Sequence, residues 1–271
     1  MAQNEMCPMC EQPLLQMRDA VVRRAGQEIL HVDNFVLNHG ENVVLLGPNG
    51  AGKSTFIKLF TREIFPLYRD VPPVLFNGQE RPLLADVKKA LAVVSATMQD
   101  QITVHLPVIQ IVVGGLFRTL GLPHGYEMTE EDEEQALRAM RMLGLEQLAG
   151  KDVMTLSSGQ ARRVLIAREL VYDPEVLVFD EPCTGLDPEG MYYVRKSMRT
   201  LVNNGKSVML VTHYPEDIIP EISRVVMIKD GLVYNDGPKE ELLTSEKMSE
   251  LFDVPLKVLQ QNGYYSLVSE Y

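Results

Sequence analysis

Nine consecutive residues, Gly47-Pro48-Asn49-Gly50-Ala51-Gly52-Lys53-Ser54-Thr55, have the types and spacing to hold phosphate. They follow the apolar run Val43-Val44-Leu45-Leu46 and precede the helical pattern Phe56-Ile57-Lys58-Leu59-Phe60, so the loop leads from a strand into a helix start. Glycines let the backbone curl close to an anion so that successive N–H groups face its oxygens, and the helix N-terminus adds positive dipole. Lys53 would reach the β- and γ-phosphates of a nucleotide, while the Ser54 hydroxyl would take Mg²⁺. A second run, Val176-Leu177-Val178-Phe179, ends in Asp180-Glu181. Stability alone gives an apolar strand no reason to end in paired acids. At a strand's carboxyl end beside a phosphate loop, Asp180 would hold Mg²⁺, directly or through water, and Glu181 would polarise the water that attacks the γ-phosphate.

A third motif, Leu156-Ser157-Ser158-Gly159-Gln160, precedes the helical run Ala161-Arg162-Arg163-Val164-Leu165-Ile166-Ala167-Arg168. Alone it reads as a serine N-cap. With the phosphate loop and the acid pair it resembles the ATP-binding-cassette (ABC) ATPase family, whose signature L-S-G-G-Q lies just ahead of the Asp-Glu strand. The match differs at Ser158. Gly185-Leu186-Asp187 follows as the loop after the acids, and His213 ends the next strand as that family's switch histidine. The resemblance spans about residues 15–237. Ser-Ser-Gly in the signature and an appended C-terminal strand pair look most like metal-chelate and molybdate-type importer ATPases.

The resemblance implies a P-loop NTPase of ABC type that binds ATP with Mg²⁺ and hydrolyses it. His213 would contact the γ-phosphate and help orient Glu181. Two ATPase domains, two copies of this chain or this chain and another ATPase domain, would pair head to tail, with Ser157, Ser158, Gly159, Gln160 and Asp187 closing on ATP held by the other domain's phosphate loop. Transport would run through separate transmembrane permease subunits, whose cytoplasmic coupling helices would sit in a groove formed by Val94 to Met98 and Leu106 to Leu120, with the chain cytoplasmic and peripheral to the inner face of the cell membrane. The alternative within the family is a soluble ATPase of iron–sulfur cluster assembly. DNA-repair relatives insert a long coiled coil where only about 110 residues separate Gly47 from Leu156. Two family positions differ. Ala96 stands where a Mg²⁺-sensing glutamine is usual, leaving Gln99 or Gln101 as substitutes. No aromatic residue is placed to stack on adenine; that position falls near Arg24, and a guanidinium can stack on a purine, so Arg24 or Arg23 is expected there.

The elements that must position these residues are an alternation of β-rich apolar runs with helical patterns, the mark of an α/β fold with a largely parallel sheet. Further strands are expected at Ala92-Val93-Val94, Ser207-Val208-Met209-Leu210-Val211 and Val225-Val226-Met227-Ile228. From about residue 101 to 150 the periodicity turns helical, as an inserted subdomain would. Within it Thr129 reads as an N-cap before the acidic turn Glu130-Glu131-Asp132-Glu133-Glu134, and Leu106-Pro107-Val108-Ile109-Gln110-Ile111-Val112-Val113 reads as core or as a docking patch. Asn262-Gly263 between two strand-like runs predicts a hairpin with a type I′ turn. The expected organisation is one ABC ATPase domain. It has a core with an N-terminal antiparallel β portion at about 13–100 and 170–240, a helical subdomain at about 101–169, and an appended hairpin at about 254–271.

The 271 residues carry 26 Lys and Arg against 37 Asp and Glu, a formal charge of −11, which argues against nucleic acid as a partner. No apolar stretch approaches the roughly 18 residues of a membrane span, and the first residues lack the pattern of a secretory signal. Three cysteines, Cys7, Cys10 and Cys183, make no disulfide framework and suit a reducing cytoplasm. Cys7 and Cys10 have the spacing of half a zinc site, but no second pair follows.

Overall fold

The computed structural model describes residues 12–269, so Cys7 and Cys10 fall outside the described residues. The chain opens with β1 (Leu15–Arg24), β2 (Gln27–Leu37), β3 (Val43–Leu46), α1 (Lys53–Phe60), β4 (Val74–Phe76), α2 (Leu84–Ala90) and β5 (Leu91–Ser95). Then come α3 (Thr97–Asp100), α4 (Val108–Val113), α5 (Glu130–Met142), α6 (Ser158–Leu170), β6 (Val176–Asp180) and α7 (Pro188–Asn203). It closes with β7 (Ser207–Thr212), β8 (Arg224–Lys229), β9 (Leu232–Pro238), α8 (Lys239–Leu242), α9 (Ser245–Phe252), β10 (Leu256–Gln261) and β11 (Tyr264–Ser269).

Nine strands form one mixed sheet in the order β4-β1-β2-β9-β8-β3-β7-β6-β5. β3 lies between β7 and β8 and runs parallel to both, and β7, β6 and β5 continue the parallel portion. β1 pairs antiparallel with β2 and β4, and β9 antiparallel with β8. The fold is thus α/β, with a mixed, largely parallel centre and an N-terminal antiparallel portion.

Side chains alternate across the sheet with a period of two. Val44 and Leu46 of β3 join Leu177, Phe179, Leu210 and Met227 in a core covered by α4, α5, α6 and α7. Val43 and Leu45 face the other way, joining Val178, Met209, Val226 and Ile228 in a core with α1, β1 and β2. Burial on both faces is why these strands read as unbroken apolar runs.

Between β5 and β6 the chain is helical, and Pro107 and Asp152 there form an isolated bridge. Val108, Ile111, Val112 and Val113 are all fully buried, so these four belong to the core, while Leu106, Ile109 and Gln110 are half-buried. Thr129 caps α5 in a capping box, its hydroxyl accepting from the Asp132 N–H while the Asp132 carboxylate accepts from the Thr129 N–H at 2.9 Å. β10 and β11 pair through a turn in which Asn262 and Gly263 have φ of 53° and 80°, the positive angles a type I′ turn requires. The hairpin packs Tyr265 into the first core and is tied by the Leu267 N–H, which donates to Glu216 Oε1 at 2.8 Å.

Candidate active site

The register of the parallel strands brings the expected chemistry to one edge. Leu46 is level with Thr212, and Asp180 is level with both Val211 and Ser95. The phosphate loop after β3, the acid pair ending β6 and His213 after β7 therefore leave the sheet side by side. Such carboxyl-end crevices are where open α/β sheets bind ligands.

Backbone contacts fix the loop. A Cβ on Gly47 would lie 2.1 Å from the Ile228 carbonyl oxygen, so only glycine fits there. Gly52, at φ 109°, turns the chain into α1 in a conformation other residues rarely adopt. The Ala51 N–H donates to the Pro48 carbonyl at 3.3 Å, and the Gly231 N–H donates to the Ala51 carbonyl at 2.9 Å. Asn49 and Gly50 form the exposed tip. Lys53, only 6% exposed, donates its Nζ to the carbonyls of Gly47 at 2.8 Å and Pro48 at 3.0 Å. Ser54 is exposed with no side-chain hydrogen bond among the described residues, and Thr55 is half-buried.

Glu181 leaves the sheet sharply. Its N–H donates to the Val211 carbonyl at 2.8 Å and its φ is 49°, a left-handed value that costs strain in a non-glycine residue. The turn aims its carboxylate at two of the expected partners, with Oε1 3.1 Å from His213 Nδ1 and 3.9 Å from Lys53 Nζ.

The signature occupies a different face. Ser157 caps α6, its Oγ accepting from the Gln160 N–H at 3.3 Å while Gln160 Oε1 accepts from the Ser157 N–H at 3.2 Å. Ser157 and Ser158 are exposed. Gly159 packs so closely on α7 that a Cβ would lie 2.7 Å from Gly190 Cα. Asp187 caps α7 by accepting from the Gly190 N–H at 2.8 Å. Ser157, Gly159, Gln160 and Asp187 line a cleft of 480 Å³ with Arg163, Tyr193 and Lys196. The hydrogen bonds of Ser157, Gln160 and Asp187 stay within their own helix starts, and none reaches Lys53, Glu181 or His213.

Arg24 ends β1 and is exposed, level with Gln27 across the β1–β2 turn, while Arg23 pairs with Glu28 at 2.5 Å. Two residues past Gln27, the Ile29 carbonyl lies 3.3 Å from where a Gly52 Cβ would stand, so this hairpin abuts the phosphate loop. Ala96 follows β5, Gln101 is exposed, and Gln99 on α3 accepts from Arg162 Nε at 3.3 Å.

The model of the ABC transporter family matches residues 30–184, more than half of the chain. The chain belongs to that family. It is 31% identical over 249 residues to an uncharacterized ABC transporter ATP-binding protein, YlmA, of Bacillus subtilis, covering 91% of this chain and 93% of that one. Against the energy-coupling factor transporter ATP-binding protein EcfA of Methanocaldococcus jannaschii the identity is 34% over 224 residues, 81% of this chain and 76% of that one. Its fold is like that of a chain from an inward-facing transporter described as metal-chelate type, with a TM-score of 0.77 at 22% identity, covering 96% and 98%.

As an ABC ATPase the chain binds and hydrolyses ATP, and its buried charges bear on that task. Burial lowers the Lys53 ammonium from its ordinary value, opposed by the carboxylates of Glu181 and Asp180. Burial, then repulsion from Glu181, raises the Asp180 carboxyl, with Lys53 pulling the other way. One residue of this ABC ATPase was not marked by its sequence. Arg162 is 3% exposed on α6 and donates Nη1 to the Pro182 carbonyl at 2.7 Å, next to Glu181. Its spacing of three and four from Gly159 and Ile166, both buried, was the available signal that it faces inward.

Proposed function

We propose that this ABC ATPase energises transport, as an importer, through separate transmembrane permease subunits, and works as two copies paired at the cytoplasmic face of the membrane. The observation that carries the catalytic part is the Glu181 carboxylate, which sits between His213 Nδ1 and Lys53 Nζ at the mouth of the phosphate loop.

The loop amides of Gly47, Pro48-flanked Asn49, Gly50, Ala51 and Gly52 would surround the β-phosphate, with Lys53 exchanging its loop carbonyls for phosphate oxygens. Thr55, in the first turn of α1, would add a hydroxyl near the α-phosphate, and Arg24 would stack on adenine. Ser54 and Asp180 offer the hydroxyl and carboxylate oxygens that suit Mg²⁺, which would offset phosphate charge there. A carboxyl already raised by burial gains from such a neighbour. Glu181 accepts a proton from the attacking water, and His213 holds that carboxylate while its other ring nitrogen faces the γ-phosphate.

The exposed signature face supports pairing. Ser157, Ser158, Gly159 and Gln160, at the N-terminus of a 13-residue helix, have no partner phosphate loop within their own chain. With Asp187 they complete the site of a second copy, the dipole of α6 aimed at its γ-phosphate. ATP then holds two copies together and hydrolysis releases them.

A cleft of 190 Å³ lined by Lys88, Val93, Met98, Arg118 and Glu169 supports the permease contact. It lies where residues 101–169, a helical subdomain, meet the core at 13–100 and 170–240. No helix of the described residues is long and apolar enough to cross a membrane. The names of the relatives favour transport over iron–sulfur assembly.

The test is Glu181→Gln. ATP binding persists while hydrolysis falls by about 10² to 10⁴, and in ATP with Mg²⁺ the variant retains an integral membrane protein from detergent-solubilised membranes. Hydrolysis at the native rate would refute the role of Glu181. Capture of soluble proteins only would refute transport.

A further inference from the structure

Arg162 is a buried cation on the first turns of the signature helix, and neither nucleotide binding nor capping uses it. A buried charge is retained only where partners compensate it. Two of its partners come from the segments that matter most to hydrolysis. Nη1 donates at 2.7 Å to the carbonyl of Pro182, the residue after Glu181. Nε donates at 3.3 Å to Gln99 Oε1 on α3, whose neighbour Met98 lines the cleft between core and helical subdomain.

The loop beyond Glu181 needs such a brace. Glu181 is held at a strained φ of 49°, and Pro182 has no N–H with which to secure the turn. The Thr184 N–H closes the turn on the Glu181 carbonyl at 3.2 Å, and the guanidinium takes the carbonyl of Pro182. Gly159, three residues before Arg162, is packed hard on Gly190, so this turn of α6 is a rigid base for the contact. One side chain thus joins the signature, the turn carrying the acid and the short helix at the cleft. Gln99 is committed to this link, which gives it a task other than that of the glutamine usual near Ala96.

We propose that Arg162 is a positioning residue for hydrolysis, which holds the Glu181 turn in register with the Ser157 helix start and carries displacements of α3 to both. A planar fork can reach two acceptors on different elements, and a lysine ammonium cannot reproduce that geometry. The proposal rests on the reading of Glu181 as the base.

The experiment measures ATP hydrolysis by Arg162→Lys, alone and combined with Glu181→Gln, at saturating and limiting ATP. In the native background kcat falls roughly 10- to 100-fold, as expected for a catalytic group moved by about an ångström, while KM for ATP stays within about twofold. In the Glu181→Gln background, Arg162→Lys changes the residual rate by less than about twofold, because the brace acts through that carboxylate. Equal losses in both backgrounds, or a native kcat for Arg162→Lys, would overturn the proposal. A native rate for Glu181→Gln alone would instead sink the assignment of the base. Should Arg162→Lys not fold, Gln99→Ala decides at the half-exposed end of the link. A kcat about 2- to 30-fold lower at unchanged KM supports the proposal, and an unchanged kcat overturns it.

Discussion

Asp180 shows how the site sets function against stability. A carboxyl raised in the folded state binds its proton more tightly there than in the unfolded chain, so its stabilising contribution is present at acid pH and is lost as pH rises through the raised value. Above that raised value the ionised group is therefore a cost to the fold. Asp180→Asn should melt higher, by roughly 2–4 °C for each kcal/mol relieved, while its Mg²⁺-dependent hydrolysis falls; a lower melting temperature without nucleotide would contradict this. Gly47→Ala should fail differently, because its Cβ would meet the Ile228 carbonyl oxygen at 2.1 Å. Loss of ATP binding, read by a fluorescent nucleotide, is the expected result. Lys53, Asp180 and Glu181 could be proposed from the sequence because each is marked by its immediate neighbours, a loop pattern or a strand end, and His213 only from its place in the ordered set of motifs. Arg162 could not, since Gln99 and Pro182 lie 63 and 20 positions away.

The elements divide by whether burial writes a pattern. β3, β6, β7 and β8 are apolar on both faces and could be read directly. β9 has no buried residue and α2 has only Val87, so neither leaves a hydrophobic signature; pairing with β8 makes the first a strand. The capping of α5 was readable, and Thr129→Ala should cost about 1 kcal/mol, measured by chemical denaturation. At the C-terminal hairpin, Gly263→Val places a β-branched side chain at φ 80°, with Pro220 Cβ 3.4 Å from its Cβ. Melting should come earlier while ATP binding stays unchanged, because the hairpin bears on residues 215–217 and not on the phosphate loop.

For the whole molecule, the proposed pairing of two copies can be tested at the exposed start of the signature helix. Ser158 is the first residue of α6, where an acidic side chain favours the helix. Ser158→Glu should therefore fold as well as the native chain, yet set a negative charge against the phosphate of a second copy. In the Glu181→Gln background, light scattering should show the mass double in ATP with Mg²⁺, and Ser158→Glu should abolish the doubling without lowering the melting temperature. The order of the sheet has a further consequence, in time. β3, which feeds the phosphate loop, lies between β7 and β8, the nearer of which is encoded some 160 residues later. At roughly 5–20 residues per second of synthesis, the central strand waits about 10–30 s on the ribosome for either neighbour. Its edges, and the face that α4 to α7 later cover, are open for much of that interval. The birth of this protein is thus its most aggregation-prone moment, and a nascent chain halted before β7 should recruit chaperones that the finished one does not.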